Sequence, residues 1–251
     1  MPLFTSPRLG RRALVSTAGI GLATIGMAVA GIGAAAAATV LASSSGTDSS
    51  SGGGGGVSPF VDPKALVRSG MRKFADKGDV EGSVADFDAA MAAKPSMRPY
   101  LWQRGLSLYY IGTKEALQEG ATQFRDDVAV NPSDTEESIW AFLCEAQLIG
   151  PEKAREQFLQ VGRDSRPVMR AAYECFKTGS DPSSIAAAAN GDTAGHAAFY
   201  SNLYVALWHE AEGGVDAAKE AMLKAVETDY ARGSGDYMAA LARVHVKRRG
   251  W

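Results

Sequence analysis

The chain has 251 residues, a formal charge of −2, 46% apolar residues and 22% charged ones, an ordinary globular balance. Residues 1–42 hold Arg8, Arg11 and Arg12 and no acid, which leaves 23 basic against 28 acidic residues in the remainder. That net of −5 argues against nucleic acid, which requires a concentrated basic face, and two cysteines cannot build a disulfide framework or a cysteine zinc site.

The first segment reads as an address. Arg11-Arg12 precedes an uncharged run from Ala13 to Ala42, rich in Gly and Ala, in which Ala34 to Ala38 offers small-residue cleavage sites. A basic start, an apolar middle and an Ala-x-Ala exit describe an export signal, and the twin Arg resembles a twin-arginine signal. The alternative is a retained anchor, since about 20 apolar residues span a bilayer; membrane association would then run through residues 13–42. Residues 43–60, Ser- and Gly-rich, read as a flexible linker. Residues 61–251 read as one folded domain with material for one continuous core.

Within that domain no strand-like alternation appears, while helix start and stop signals are frequent. Asp62-Pro63 can be N-cap and first turn, and Pro99 and Pro151 can occupy first-turn positions in the same way. Ser133 to Glu136 reads as a capping box. Gly78, Gly112, Gly150 and Gly213 fall where a helix must stop and turn, and Pro95 and Pro132 end helices after Lys94 and Asn131. These signals predict hairpins at about 63–94, 99–131, 134–162, 167–189 and 194–229, the fourth degenerate, with a closing helix near 236–248.

A spaced pattern recurs along these segments: Ser83–Phe87–Ala90, Gly120–Phe124–Asp127, Ala154–Phe158–Val161 and Ala218–Met222–Ala225. Its bulky members lie 37, 34 and 64 residues apart, the last close to two periods. A period near 34 marks stacked helical hairpins, each too small to bury its apolar face alone. Small residues let two helices approach, and the bulky residue one turn later fills the gap beside them. The pattern resembles the tetratricopeptide repeat (TPR): residues 64–97 place Gly78-Asp79, Phe87, Ala90 and Pro95 where that family has Gly-Asp, an aromatic, Ala and Pro. The resemblance implies an all-α, TPR-like superhelix of about four to five stacked antiparallel helix pairs with a C-terminal capping helix. More narrowly, RGLSLYYIG (104–112) and residues 124–147 are similar to NlpI-type bacterial TPR lipoproteins and to plastid TPR proteins. That similarity implies an adaptor in the thylakoid lumen of chloroplasts, or in the periplasm. Such an adaptor assists assembly, maintenance or processing of membrane complexes, serves a carboxyl-terminal processing protease, or forms a structural subunit. No lipid-attachment cysteine follows the signal, a departure from the bacterial group.

On the TPR register, Arg68, Arg72, Trp102, Gln103, Tyr109, Tyr110, Trp140 and Gln147 face inward. Aromatics and Arg anchor protein interfaces, so a concave groove of these residues would hold a peptide or helix of a partner protein; the alternative is that the aromatics pack between hairpins. Cys144 and Cys175 lie 31 residues apart, near one repeat, so a disulfide is an alternative to the favoured reading of two buried thiols. His196, His209 and His245 lack a second ligand at metal-binding spacing, and no GxSxG, HExxH or phosphate loop occurs. The expectation is a non-enzymatic protein-binding module with no cofactor and no metal.

Overall fold

The computed structural model describes residues 62–251, and among them every regular element is helical. The export signal and the Ser/Gly linker expected at 1–42 and 43–60 lie outside the described residues. No helix among the described residues is long and apolar enough to cross a membrane.

Helix α1 (Pro63–Arg72) starts as expected, with Pro63 in the first turn and the Asp62 carboxylate accepting from Lys64 N at 3.0 Å. It runs on into a π turn, Lys73–Lys77, which Gly78 ends at φ 64°, a left-handed conformation that glycine adopts without a Cβ clash. Asp79 then caps α2 (Val80–Ala93) by accepting from Gly82 N at 2.9 Å. Helices α3 (Trp102–Ile111) and α4 (Lys114–Val130) meet at Gly112, φ 71°, with Thr113 as the next cap. Helices α5 (Thr135–Ile149) and α6 (Pro151–Glu156) form the third pair, α7 (Pro167–Thr178) and α8 (Ser183–Ala187) the fourth, and α9 (His196–Ala211) and α10 (Val215–Glu227) the fifth. Short α11 (Asp229–Gly233) leads to α12 (Tyr237–Arg249). Within each pair the two helices pack on one another, and α2 packs on α3, α4 on α5, and α7 on α9. Turns this short between packed helices make the partners antiparallel.

Three boundaries differ from expectation. Pro99 lies inside a 3-10 turn (Pro95–Tyr100), and α3 begins only at Trp102. The cap of α5 is Asp134, not Ser133: its carboxylate accepts from Glu136 N at 3.2 Å and from Asn131 Nδ2 at 3.0 Å. Glu136 cannot reach back as a capping box requires, because its oxygens are taken by Arg166 Nη1 at 2.6 Å and the Tyr204 hydroxyl at 3.1 Å. Helix α6 stops at Glu156, so Phe158 fills its place from a loop, buried against Phe142 and Tyr173 at ring separations of 5.6 and 5.4 Å. Arg125 bonds Gln157 O at 3.0 Å and draws the chain out of the helix there.

The recurring pattern is the core. Ser83, Phe87, Ala90, Phe124, Ala154, Ala218, Met222 and Ala225 are fully buried; Val161 is only half-buried. The first two pairs lock in the same way. Gly70 on α1 faces Phe87, so that a Cβ there would sit 3.0 Å from the ring, and Gly105 on α3 faces Phe124 at 2.6 Å. The missing Cβ leaves the space that each aromatic ring occupies.

The closing helix does more than cover the last pair. Tyr237 of α12 stacks on Phe74 of the first pair, centroids 5.4 Å apart, and meets Trp102 of α3 edge-on at 5.4 Å. At its other end Arg248 bonds Glu81 at 2.7 Å and Tyr110 O at 3.1 Å. Met238 to Ala242, Val244 and His245 are all buried, while Arg243, Lys247 and Arg248 are exposed, so α12 is enclosed over most of its surface by the pairs it touches.

Candidate functional site

The structure does not assemble the eight expected groove residues into one open surface. Tyr109, Tyr110 and Trp140 are buried at 3%, 4% and 2% exposure, and Gln103 is buried with them. Trp102 is half-buried against Tyr237, while Arg68, Arg72 and Gln147 are exposed; Arg68 pairs only with Asp62, at 3.4 Å. The physical reason is α12, which lies against α3 where the expected surface would be. The tyrosines therefore serve packing: Tyr109 meets Tyr110 and Trp140 edge-on at 5.1 and 5.2 Å.

Around them sits a buried polar network joining α3, α9 and α12. The Tyr109 hydroxyl donates to Glu210 Oε2 at 3.3 Å, and Arg249 Nε donates to Glu210 Oε1. The Tyr110 hydroxyl and His245 Nδ1 are 3.0 Å apart, and His245 Nε2 stands 3.5 Å from Glu210 Oε2. A carboxylate facing Nε2 favours the tautomer protonated there, which leaves Nδ1 to accept from Tyr110. Burial, reinforced by the Arg249 charge, pushes the His245 imidazole down to about 3 and keeps it neutral. Burial likewise raises both tyrosine hydroxyls well above their usual range. Acid, base and hydroxyl thus lie together; His245 is 0% exposed and the Glu210 side chain 19% exposed, and the network holds α12 in place.

A second set of buried acids lies where α4 turns into α5. Burial pushes Asp127 up to about 8, and burial with a hydrogen bond to Asp134 pushes Glu137 up to about 11.

An open cleft of 380 Å³ lies on another side, between residues 160–164 and α7, with Thr135 at its base. Arg170, Tyr173, Glu174 and Lys177 recur at i, i+3, i+4 and i+7 and line it from α7, and Arg163 lines it from the loop. The opposite face of α7 (Val168, Met169, Ala172, Cys175, Phe176) is buried, which fixes the polar face outward. Tyr173 ties the two walls, its hydroxyl donating to Leu159 O at 3.3 Å and accepting from Val161 N at 3.4 Å. Lys177 Nζ sits 5.4 Å over the Tyr173 ring. Asp164 is wrapped by Arg166, with Nη2 to Oδ2 at 2.8 Å and Nε to Oδ1 at 3.1 Å. Burial opposes its charge, but these contacts hold its carboxyl below the usual range. Sequence reasoning passed over this face; its signal was the i, i+3, i+4, i+7 run of polar residues opposite an apolar run in residues 167–178.

The cysteines are free. Cys144 Sγ turns toward Gly120 on α4, where an added Cβ would stand 3.2 Å from it, and Cys175 Sγ lies 3.0 Å from Ser184 Oγ. Their neighbours lie on different helices, so no bridge joins them. Among the described residues no group of three or more His, Cys, Asp or Glu could hold a metal. No protein-family model matches the chain, and no curated protein matches it either.

Proposed function

We propose that this chain is a non-enzymatic scaffold, a TPR-like superhelix of stacked helix pairs that binds other proteins. The observation that carries this reading is the repeated lock between a first-helix glycine and a second-helix aromatic, Gly70 with Phe87 and Gly105 with Phe124. A device repeated from one pair to the next supports a repeat architecture, and repeat architectures present extended surfaces to partners. The burial of His245 and Tyr110 supports the non-enzymatic part, since general acid–base work requires reach to a substrate. The likeness of residues 104–112 and 124–147 to plastid TPR proteins, with the twin-arginine reading of residues 1–42, favours an adaptor for membrane complexes in the thylakoid lumen. N-terminal sequencing of the native protein tests the export reading.

Mild extraction of the native protein followed by native electrophoresis tests the scaffold reading. The protein should migrate in a larger species that chemical cross-linking joins to at least one other chain. Migration of the whole population as a free chain, with no cross-linked partner, would overturn the scaffold.

A further inference from the structure

We propose that the cleft between residues 160–164 and α7 holds an extended acidic segment of a partner protein. The inference rests on the scaffold reading and names the chemistry of what one of its surfaces takes.

Charge decides the sign. Arg163, Arg170 and Lys177 line the cleft, and none of them is ion-paired among the described residues. Arg170 spends Nη1 on two backbone carbonyls, Asp164 O at 3.0 Å and Ser165 O at 2.6 Å, which fixes it without neutralising it. Of the two carboxylates lining the cleft, Asp164 shares the Arg166 guanidinium with Glu136, so three lining cations face Glu174 and a carboxylate that is already partly matched. In a domain whose overall charge is negative, this is a local positive field.

Spacing decides the shape. Arg170 and Lys177 are seven residues apart on one helix, about 10.5 Å along its axis. Three residues of chain in the extended polyproline II conformation cover about 9 Å and return the side chains at i and i+3 to one face. Two carboxylates at positions i and i+3 of such a peptide therefore meet the two cations, while Glu174 between them repels an acid at the intervening positions. Tyr173, half-buried between the cations, has Lys177 over its ring and its hydroxyl bonded to the loop, which holds the two walls of the cleft at a fixed separation. The cleft is at the small end of ligand pockets, which suits a short segment rather than a folded domain.

The test uses the full-length protein and the peptide acetyl-Gly-Glu-Gly-Gly-Glu-Gly-amide carrying a neutral dye, followed by fluorescence anisotropy. Binding near about 0.1 mM is expected, weakening as salt is raised. The peptide with Gln in place of both Glu should bind at least about tenfold more weakly, roughly 1.4 kcal/mol. The double variant Arg163→Gln with Lys177→Gln should lose a similar factor. Neither side chain donates a hydrogen bond among the described residues, so the variant should keep the parent melting temperature. Arg170→Gln, which also frees the loop, is the second variant and should lose at least as much. Equal affinity for the Gln peptide would overturn the assignment. So would undiminished binding by the double variant, no binding up to about 1 mM, or tighter binding of a single-stranded oligonucleotide of equal charge. These outcomes bear on the cleft alone, because native electrophoresis reads binding through any surface.

Discussion

Asp127→Asn should stabilise the protein at neutral pH and not at acid pH. Asp127 is 4% exposed. Its Oδ1 accepts from Gln123 Nε2 at 3.0 Å, and its Oδ2 is buried with no hydrogen-bond partner. Burial, the largest cause, outweighs the Gln123 hydrogen bond, and with the charges of Asp126 and Asp134 added against that of Arg98 it raises the carboxyl from 3.8 to about 8. Below the unfolded value of 3.8 both states carry the proton and the site costs nothing. Above it the unfolded state releases a proton that the folded state keeps, so stability falls by about 1.4 kcal/mol per pH unit until about pH 8. At pH 7 the ceiling on this loss is about 4 kcal/mol. An amide does not ionise and keeps the Gln123 contact, but buries donors in place of Oδ2, at a cost of about 1–2 kcal/mol. The net gain at pH 7 is on the order of 2 kcal/mol, a rise of about 4–8 °C in melting temperature for a domain of this size. Urea unfolding of both proteins from pH 4 to 8 measures it. Glu137 and His245 titrate in both proteins and cancel in the difference. A difference that does not change with pH, or an Asn variant weaker at pH 7 than the parent, would refute the reasoning.

Gly105→Ala should cost about 2–3 kcal/mol by overpacking, because the new Cβ would meet Phe124 at 2.6 Å; Gly105→Ala with Phe124→Leu should recover part of that loss in urea midpoints. Tyr110→Phe should cost about 1–2 kcal/mol by leaving His245 Nδ1 unpaired, and adding His245→Phe should cost less than the two changes summed. Burial pushes the Cys144 thiol well up, so a thiol reagent should label it only on unfolding, and a Cys144–Cys175 linked peptide in a non-reducing digest would contradict the free thiols. Tyr109→Ala should destabilise by about 3–5 kcal/mol, as removal of a buried aromatic does, and should lower the melting temperature before it affects any binding.

Helix positions were legible because the residues that start and stop helices act locally. Gly78 and Gly112 adopt the left-handed conformation that ends a helix, and Asp62 and Thr113 bond the first free amides. Local rules failed where a distant partner won. Glu136 belongs to Arg166 and Tyr204, not to a capping box, and Arg125 pulls Gln157 out of α6. The groove failed for a related reason. Repeat register says which face of a first helix points inward, and says nothing of what lies inside. The clue was in residues 238–244, MAALARV, small and apolar on most sides and so composed for burial in a narrow space. The cations at 163, 170 and 177 were equally visible, but their meaning depends on Asp164 being held by an Arg166 that also pairs with Glu136, contacts that no spacing reveals.

The enclosure of α12 restricts the surface that the proposed partners can use. A stack of helix pairs exposes apolar surface at its ends and on its inner face, and covering it is a condition of solubility. Here the chain's own last helix reaches the first pair through Tyr237 and Arg248 and the third and ninth helices through His245 and Arg249. A partner helix aimed at the same surface would have to expel α12. That would strand the buried His245 and expose Met238, Leu241 and Val244, each costing about 1.5–3 kcal/mol in lost burial. Attraction of an ordinary peptide does not offset several such terms together. Binding that leaves the fold intact must therefore use faces already in water. Of these, the α7 cleft combines concavity, unmatched charge and a fixed aromatic, whereas Tyr100, Val130, Ile149 and Val215, the exposed large apolar residues among the described residues, are dispersed over different elements and form no run along a single helix.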